Sequence, residues 1–185
     1  MNKYLNFIKI ALSDKSKTGA IVRSSSYVVR AVLKLISGRP LQKIVEYGSG
    51  DGVMTLELLK HLSPQGRLLA VETDSDFVKI LKQINDPRLL VIEDSMQNVS
   101  RNIEKYGFDS ADLFISSVPF SYLSKSEREE ICDLTRHSLA SSGMFIIFHQ
   151  YSNLMAKPLR MFFGWVKVGF EPLNFLPCFI ISAMI

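Results

Sequence analysis

Five short apolar runs alternate with amphipathic stretches from residue 43 onward, and that alternation leaves few folds open to the chain. The runs Lys43–Tyr47, Arg67–Glu72, Leu89–Glu93, Ala111–Ser116 and Gly143–His149 have the length and composition of strands buried on both faces. Between them, Val53–Leu62, Ser75–Ile84, Val99–Tyr106 and Lys125–Leu139 read as helices. Such alternation predicts βαβ units and a parallel, doubly wound sheet. The tail departs from it. After a helix near Lys157–Phe163, the runs Val166–Glu171 and Phe179–Met184 follow with Pro172 and Pro177 between them and no helix. That pattern predicts an antiparallel hairpin closing one edge of a seven-stranded sheet. Upstream, Ser24–Ile36 reads as a helix capped by a serine and ended by Gly38-Arg39-Pro40. The expected organisation is a helical arm, residues 1–40, on a single α/β domain, residues 41–185.

Composition narrows the function. A chain of 185 residues buries roughly 70% of its unfolded surface, so its core requires no disulfide or structural metal. Cys132 and Cys178 show no CxxC or zinc spacing and read as reduced, apolar-like residues. His61, His137 and His149 are not paired at metal-ligand spacing, so no metal is expected. The most apolar stretch, Met161–Ile185, is broken by Lys167, Glu171, Asn174 and two prolines, too often for a membrane span. The first residues lack the apolar run of a signal peptide, and a cytoplasmic location is expected.

Charge is unevenly spread. Residues 1–45 carry nine Lys/Arg against Asp14 alone, whereas the remainder carries 13 Lys/Arg against 17 acids. A basic arm on a mildly acidic body suits an anionic partner. Within the arm, Tyr4, Leu5, Ile8, Ala11 and Leu12 fall at helical spacing among lysines. A helix of this kind can lie on an anionic membrane, in a peripheral role on the inner face of the cell membrane, pack on the domain, or meet nucleic-acid phosphates.

The most specific motif is Glu46-Tyr47-Gly48-Ser49-Gly50-Asp51-Gly52, directly after the first strand and before a helix. Glycines there let backbone approach a ligand closely. The spacing is G-x-G-x-G, with Val53 where a dinucleotide fingerprint has its third glycine. Glu72 ends the second strand, where an acid accepts from ribose hydroxyls, and Asp94 follows the third, placed to accept from an adenine amine. Three acids at the ends of consecutive parallel strands line the crevice where such sheets bind ligands.

With these residues the chain, from about Ile44 onward, resembles the class I S-adenosylmethionine-dependent methyltransferases, which implies a Rossmann-like domain. The resemblance implies that Glu46, Gly48, Ser49 and Gly50 hold the amino-acid end of the cofactor. It implies Glu72 and Thr73 at ribose and adenine, Asp94 and Ser95 at the adenine amine, and Ser116 beside them. The fourth strand runs on into Ser116-Ser117-Val118-Pro119-Phe120. Aligned on Pro119, Ser117 stands where ribosomal RNA adenine dimethyltransferases carry Asn. The chain is more similar to the bacterial phospholipid N-methyltransferases, which methylate the amine of phosphatidylethanolamine. The similar segments are Thr18–Ser25, Ser116–Pro119, Phe148-His149-Gln150-Tyr151-Ser152 and Leu176–Phe179. Departures are Arg23 for Pro, Ser117 for Gly and Cys178 for the second hairpin proline.

That resemblance implies a phospholipid substrate and S-adenosylmethionine as cofactor; RNA is the alternative acceptor, as is cofactor binding without catalysis. Lys17 and Arg23 would face a phosphodiester, with Tyr27, Pro119 and Phe120 on the acceptor side. The amine must lose a proton before attack, and Tyr151, His149 and Ser117 are the candidate catalytic residues. The sequence leaves the oligomeric state open.

Overall fold

The computed structural model describes residues 25–173 and 177–185. The elements are α1 (Ser26–Ile36), β1 (Leu41–Tyr47), α2 (Val53–His61), β2 (Leu62–Glu72), α3 (Ser75–Leu81), β3 (Leu89–Glu93) and α4 (Met96–Arg101). They continue with β4 (Ala111–Ser116), α5 (Lys125–His137), β5 (Leu139–Gln150), α6 (Ala156–Phe162), β6 (Trp165–Glu171) and β7 (Cys178–Met184). The seven strands form one sheet in the order β3-β2-β1-β4-β5-β7-β6. Neighbours from β3 to β5 pair in parallel, and β7 runs antiparallel between β5 and β6. The hairpin at the sheet edge is therefore as expected from the tail.

Strand alternation builds two core layers. On one face Val45, Tyr47, Leu69, Val71, Phe114, Phe145 and Ile147 pack with Val99 of α4, Ile131 of α5 and Leu159 of α6. On the other, Ile44, Leu68, Ala70, Leu113, Ile115 and Ile146 pack with Val32 of α1 and Leu58 of α2. Burial on both faces explains why the strands read as continuous apolar runs. Helix α1 shares its buried side, Val28, Val29, Val32 and Ile36, with that second layer, so this part of the arm is integral to the sheet's packing. The two cysteines lie in opposite layers, Cys132 in the first and Cys178 in the second. The amphipathic segment Tyr4–Leu12 and the turn residues 174–176 lie outside the described residues.

Strands β2 and β5 begin four or more residues before their apolar runs. In β2, Leu62 pairs with Leu41 and Arg67 with Lys43; in β5, Leu139 pairs with Ala111 and Met144 with Leu113. Each register jump throws out residues that read as turn and closes on a glycine, Gly66 or Gly143. A Cβ on either would come within 2.7 Å of the leucine four residues back. Helix α4 likewise starts earlier than Val99, because the Ser95 hydroxyl accepts from Asn98 N–H and caps it. A 3-10 turn, Ile103–Tyr106, completes the expected helical stretch.

Candidate active site

Glu46, Glu72 and Asp94 all stand at the carboxyl end of the parallel strands, around the loop that joins β1 to α2. Gly48, Gly50 and Gly52 have φ of 72°, 52° and 79°. The loop is tied to its neighbours: Gly48 N–H and Ser49 N–H both donate to Val71 O, at 2.8 and 3.2 Å. A side chain at Gly48 has no room, since a Cβ there would lie 2.9 Å from Val118 Cγ2. Glu72, at the end of β2, grips the loop directly. Its Oε2 accepts from Gly50 N–H at 2.8 Å, and its Oε1 accepts from Thr73 N–H at 2.7 Å and Asp74 N–H at 3.0 Å. Thr73 itself is exposed. Asp94 N–H donates to Glu72 O, and the Asp94 carboxylate accepts from Ser95 N–H and Asn98 Nδ2.

Glu46 differs from the other acids. It is 2% exposed, and its Oε2 accepts from the Thr55 hydroxyl at 2.6 Å. Burial pushes its carboxyl up to about 8, against the hydrogen bond from Thr55, and repulsion from Glu72 and Asp51 adds to the rise. Among the described residues no Lys or Arg forms an ion pair with it. A buried acid without a cation is a costly arrangement that a positively charged ligand group relieves. Thr55 had no signal in the sequence: it lies on the next helix, and only the fold turns it toward Glu46.

Where the acceptor is expected, β4 delivers its loop against the glycines. Ser117 N–H donates to Tyr47 O at 3.2 Å, and its hydroxyl donates to Gly48 O at 2.6 Å. Ser116 is fully buried, and its hydroxyl accepts from Val118 N–H, so it holds the turn rather than presenting a surface. Pro119, half-buried, opens the 3-10 turn Phe120–Tyr122. Phe120, expected on the acceptor side, is instead wholly enclosed in the core, because the turn directs its ring beneath the loop among the buried aromatics; Tyr122 is the exposed aromatic of that loop. Gln150, which was not singled out as a site residue, closes the arrangement: its Nε2 donates to Val118 O at 2.9 Å and so joins the end of β5 to the β4 loop. Its signal was present in the Phe148–Ser152 segment.

Tyr151 follows Gln150, half exposed, and partial burial raises its phenol above the usual value, so at neutral pH it is a hydroxyl rather than a base. Tyr27 stands on α1 with the Arg30 guanidinium 4.8 Å over its ring. His149 lies in β5, its side chain outside what the structure describes, as are Lys17 and Arg23. Among the described residues, no three His, Cys, Asp or Glu side chains could hold a metal ion, and no helix is long and apolar enough to cross a membrane.

No protein-family model matches the chain. It is 24% identical over 179 residues to an ornithine lipid N-methyltransferase of Singulisphaera acidiphila, covering 96% of this chain and 93% of that protein. Over 100 residues it is 30% identical to ribosomal RNA small subunit methyltransferase H of Polynucleobacter necessarius, a match to 49% of this chain and 32% of that one. Its fold is that of the 1,6-didemethyltoxoflavin-N1-methyltransferase of Burkholderia thailandensis, solved with bound S-adenosylhomocysteine. That likeness has a TM-score of 0.68 at 15% identity and covers 97% of this chain and 88% of the other. The glycine loop gripped by the acid of β2, the shared fold and a relative similar along its whole length together support a class I S-adenosylmethionine-dependent methyltransferase related to the lipid N-methyltransferases.

Proposed function

We propose that the protein transfers the methyl group of S-adenosylmethionine to the amine of a membrane lipid headgroup, of the phosphatidylethanolamine type. The observation that carries this is the end-to-end similarity to a lipid N-methyltransferase, which takes in the acceptor loop as well as the cofactor crevice. Exposed Tyr122, Tyr151, Leu154 and Leu173 follow β4 and β5 or stand in the β6–β7 turn, at the crevice end of the sheet, a composition suited to a lipid surface. The basic residues Lys15, Lys17 and Arg23 supply charge for an anionic headgroup or bilayer.

The residues present fit the cofactor. Glu46, protonated at neutral pH on its own, would ionise against an ammonium; Gly50, with nothing within 4 Å of a Cβ, leaves its backbone open to a ligand, and Glu72 and Asp94 end the next two strands, where ribose and adenine would lie. When bound, S-adenosylmethionine supplies a methyl group on a sulfonium, ready for displacement. The chain contributes position and dryness rather than a strong base. Ser117 and Gln150 hold the acceptor loop against the glycines, which fixes where an amine can stand relative to the crevice. Tyr151 remains a hydroxyl and so does not take the amine proton as a base.

RNA is the second reading, favoured by the partial match to a ribosomal RNA methyltransferase. The deciding experiment incubates purified protein with methyl-labelled S-adenosylmethionine and a whole-cell extract, then partitions the products. Label in the organic phase is expected. Label confined to the RNA fraction would replace the lipid reading with the second.

A further inference from the structure

Gln150 is the last residue of β5 and only 6% exposed. Its Nε2 donates to two carbonyls at once, Val118 O and Phe148 O, each at 2.9 Å. Two carbonyl partners fix which branch of the amide is nitrogen, because the reverse assignment would set oxygen against oxygen twice. Both N–H groups are thereby used, and Oε1 is held rigidly on the other branch. That oxygen accepts from none of the described residues, yet it is not among the orphan side-chain atoms sealed from solvent. A buried amide with its acceptor unmet but reachable is a place for a donor that arrives from outside.

Position selects the donor. Gln150 stands at the crevice end of the sheet and braces the β4 loop. In that loop Ser117, aligned with the Asn of adenine dimethyltransferases, has committed its proton to Gly48 O. We propose that Gln150 Oε1 receives an N–H of the acceptor amine and orients its lone pair for methyl transfer. The proposal rests on the N-methyl transfer reading above and not on the acceptor being a lipid. The amine attacks as its free base: the nitrogen lone pair forms the N–C bond while the S–C bond breaks and its electron pair returns to sulfur. Nitrogen becomes cationic and then releases a proton to water. A neutral carboxamide oxygen cannot take that proton, but it stabilises the positive charge growing on the N–H it holds. Primary and secondary amines have an N–H to offer; a tertiary free base has none.

The number of methyl groups already on nitrogen therefore reports the contact. Gln150→Met keeps the side chain's length and removes both amide functions. Wild type and variant are compared on the primary, N-methyl and N,N-dimethyl forms of one aminolipid headgroup. The comparison measures transfer rates and, with S-adenosylhomocysteine present, headgroup binding by calorimetry. Loss of the brace to Val118 lowers all three rates alike, so the contact is read in the ratio: transfer to the primary amine is expected to fall about 100-fold relative to the tertiary amine, as for loss of one positioned transition-state hydrogen bond. Binding of the primary headgroup weakens about tenfold, while S-adenosylhomocysteine binds both proteins alike. Gln150→Asn, which keeps the amide but withdraws it by one methylene, should show the same graded order and serves if the Met variant fails to fold. An equal loss on all three amines makes Gln150 a brace for the β4 loop and nothing more, and overturns the proposal, as does an unchanged rate on the primary amine. Failure of the wild type to methylate any of the three overturns the N-methyl transfer reading, and this inference with it.

Discussion

At Glu46 the surroundings outweigh the residue's own chemistry. Its carboxyl, ordinarily near 4.5, is raised to about 8 by burial. The folded protein thus keeps a proton that the unfolded chain gives up above about pH 4.5. The stability this contributes is complete below that value and is lost as pH rises through about 8. Glu46→Gln should therefore leave thermal stability unchanged near pH 4.5, gain on wild type as pH rises, and level off above pH 8, in melting scans without cofactor. The same variant should bind S-adenosylhomocysteine at least about tenfold more weakly, because the buried counter-charge to its ammonium is gone. At Gly48 the constraint is space as well as conformation: φ is 72° and a Cβ would meet Val118 Cγ2 at 2.9 Å. Gly48→Ala is expected to cost about 1–3 kcal/mol of stability by denaturant titration, and cofactor affinity with it. Glycine at 48 could be read from the motif. The protonation state of Glu46 could not, since desolvation depends on the helix and strands that close over it.

Elements meet at the site through a small number of polar ties rather than through broad packing. The Glu72 carboxylate joins the end of β2 to the loop between β1 and α2, accepting from Gly50, Thr73 and Asp74 N–H. Three charge-assisted bonds make it the tie that holds the loop, and the proposed function adds a second task, toward ribose. Glu72→Ala should weaken S-adenosylhomocysteine binding by about 1–3 kcal/mol in calorimetry. It should also quicken amide exchange at Gly50, which a role toward the ligand alone would not do. The register jumps show what periodicity misses. In β1, Asp112 of the neighbouring strand accepts from both Gln42 N–H and Lys43 N–H, at 2.7 and 2.9 Å, beside the jump at Leu41. The apolar pattern marks where a strand is covered on both faces. It does not mark a bulged start whose amides are satisfied by a side chain 70 residues away.

For the whole molecule, topology and charge point the same way. The order β3-β2-β1-β4-β5 gathers every loop that follows a parallel strand at one end. The aromatic and aliphatic side chains of those loops stand there beside the cofactor crevice. The excess of Lys and Arg belongs to residues 1–45. If the arm carries the protein to an anionic bilayer, reversing the charge of Lys15, Lys17 and Arg23 together should abolish co-sedimentation with vesicles rich in anionic lipid. Raising salt from about 0.1 to 1 M, which shortens the screening length from about 10 to 3 Å, should do the same to wild type. Unchanged sedimentation in both trials would remove the arm from membrane binding.

Sequence alone determined the sheet, its hairpin edge, the glycine loop and the acids at the strand ends. Those features are written in local periodicity, in the spacing of glycines and in the residue that ends each strand. Only the tertiary structure decided which polar groups are already satisfied. Ser117 and Ser116 read alike as hydroxyls near a ligand, yet one is bonded to the glycine loop and the other is buried beneath its own turn. Phe120 read as a wall of the acceptor site and became core, while Gln150, one residue in a family-like run, closed the loop with both its N–H groups. Whether a side chain serves the fold or a ligand is settled by its partners, and these come from strands distant in sequence. That information exists only once the sheet has formed.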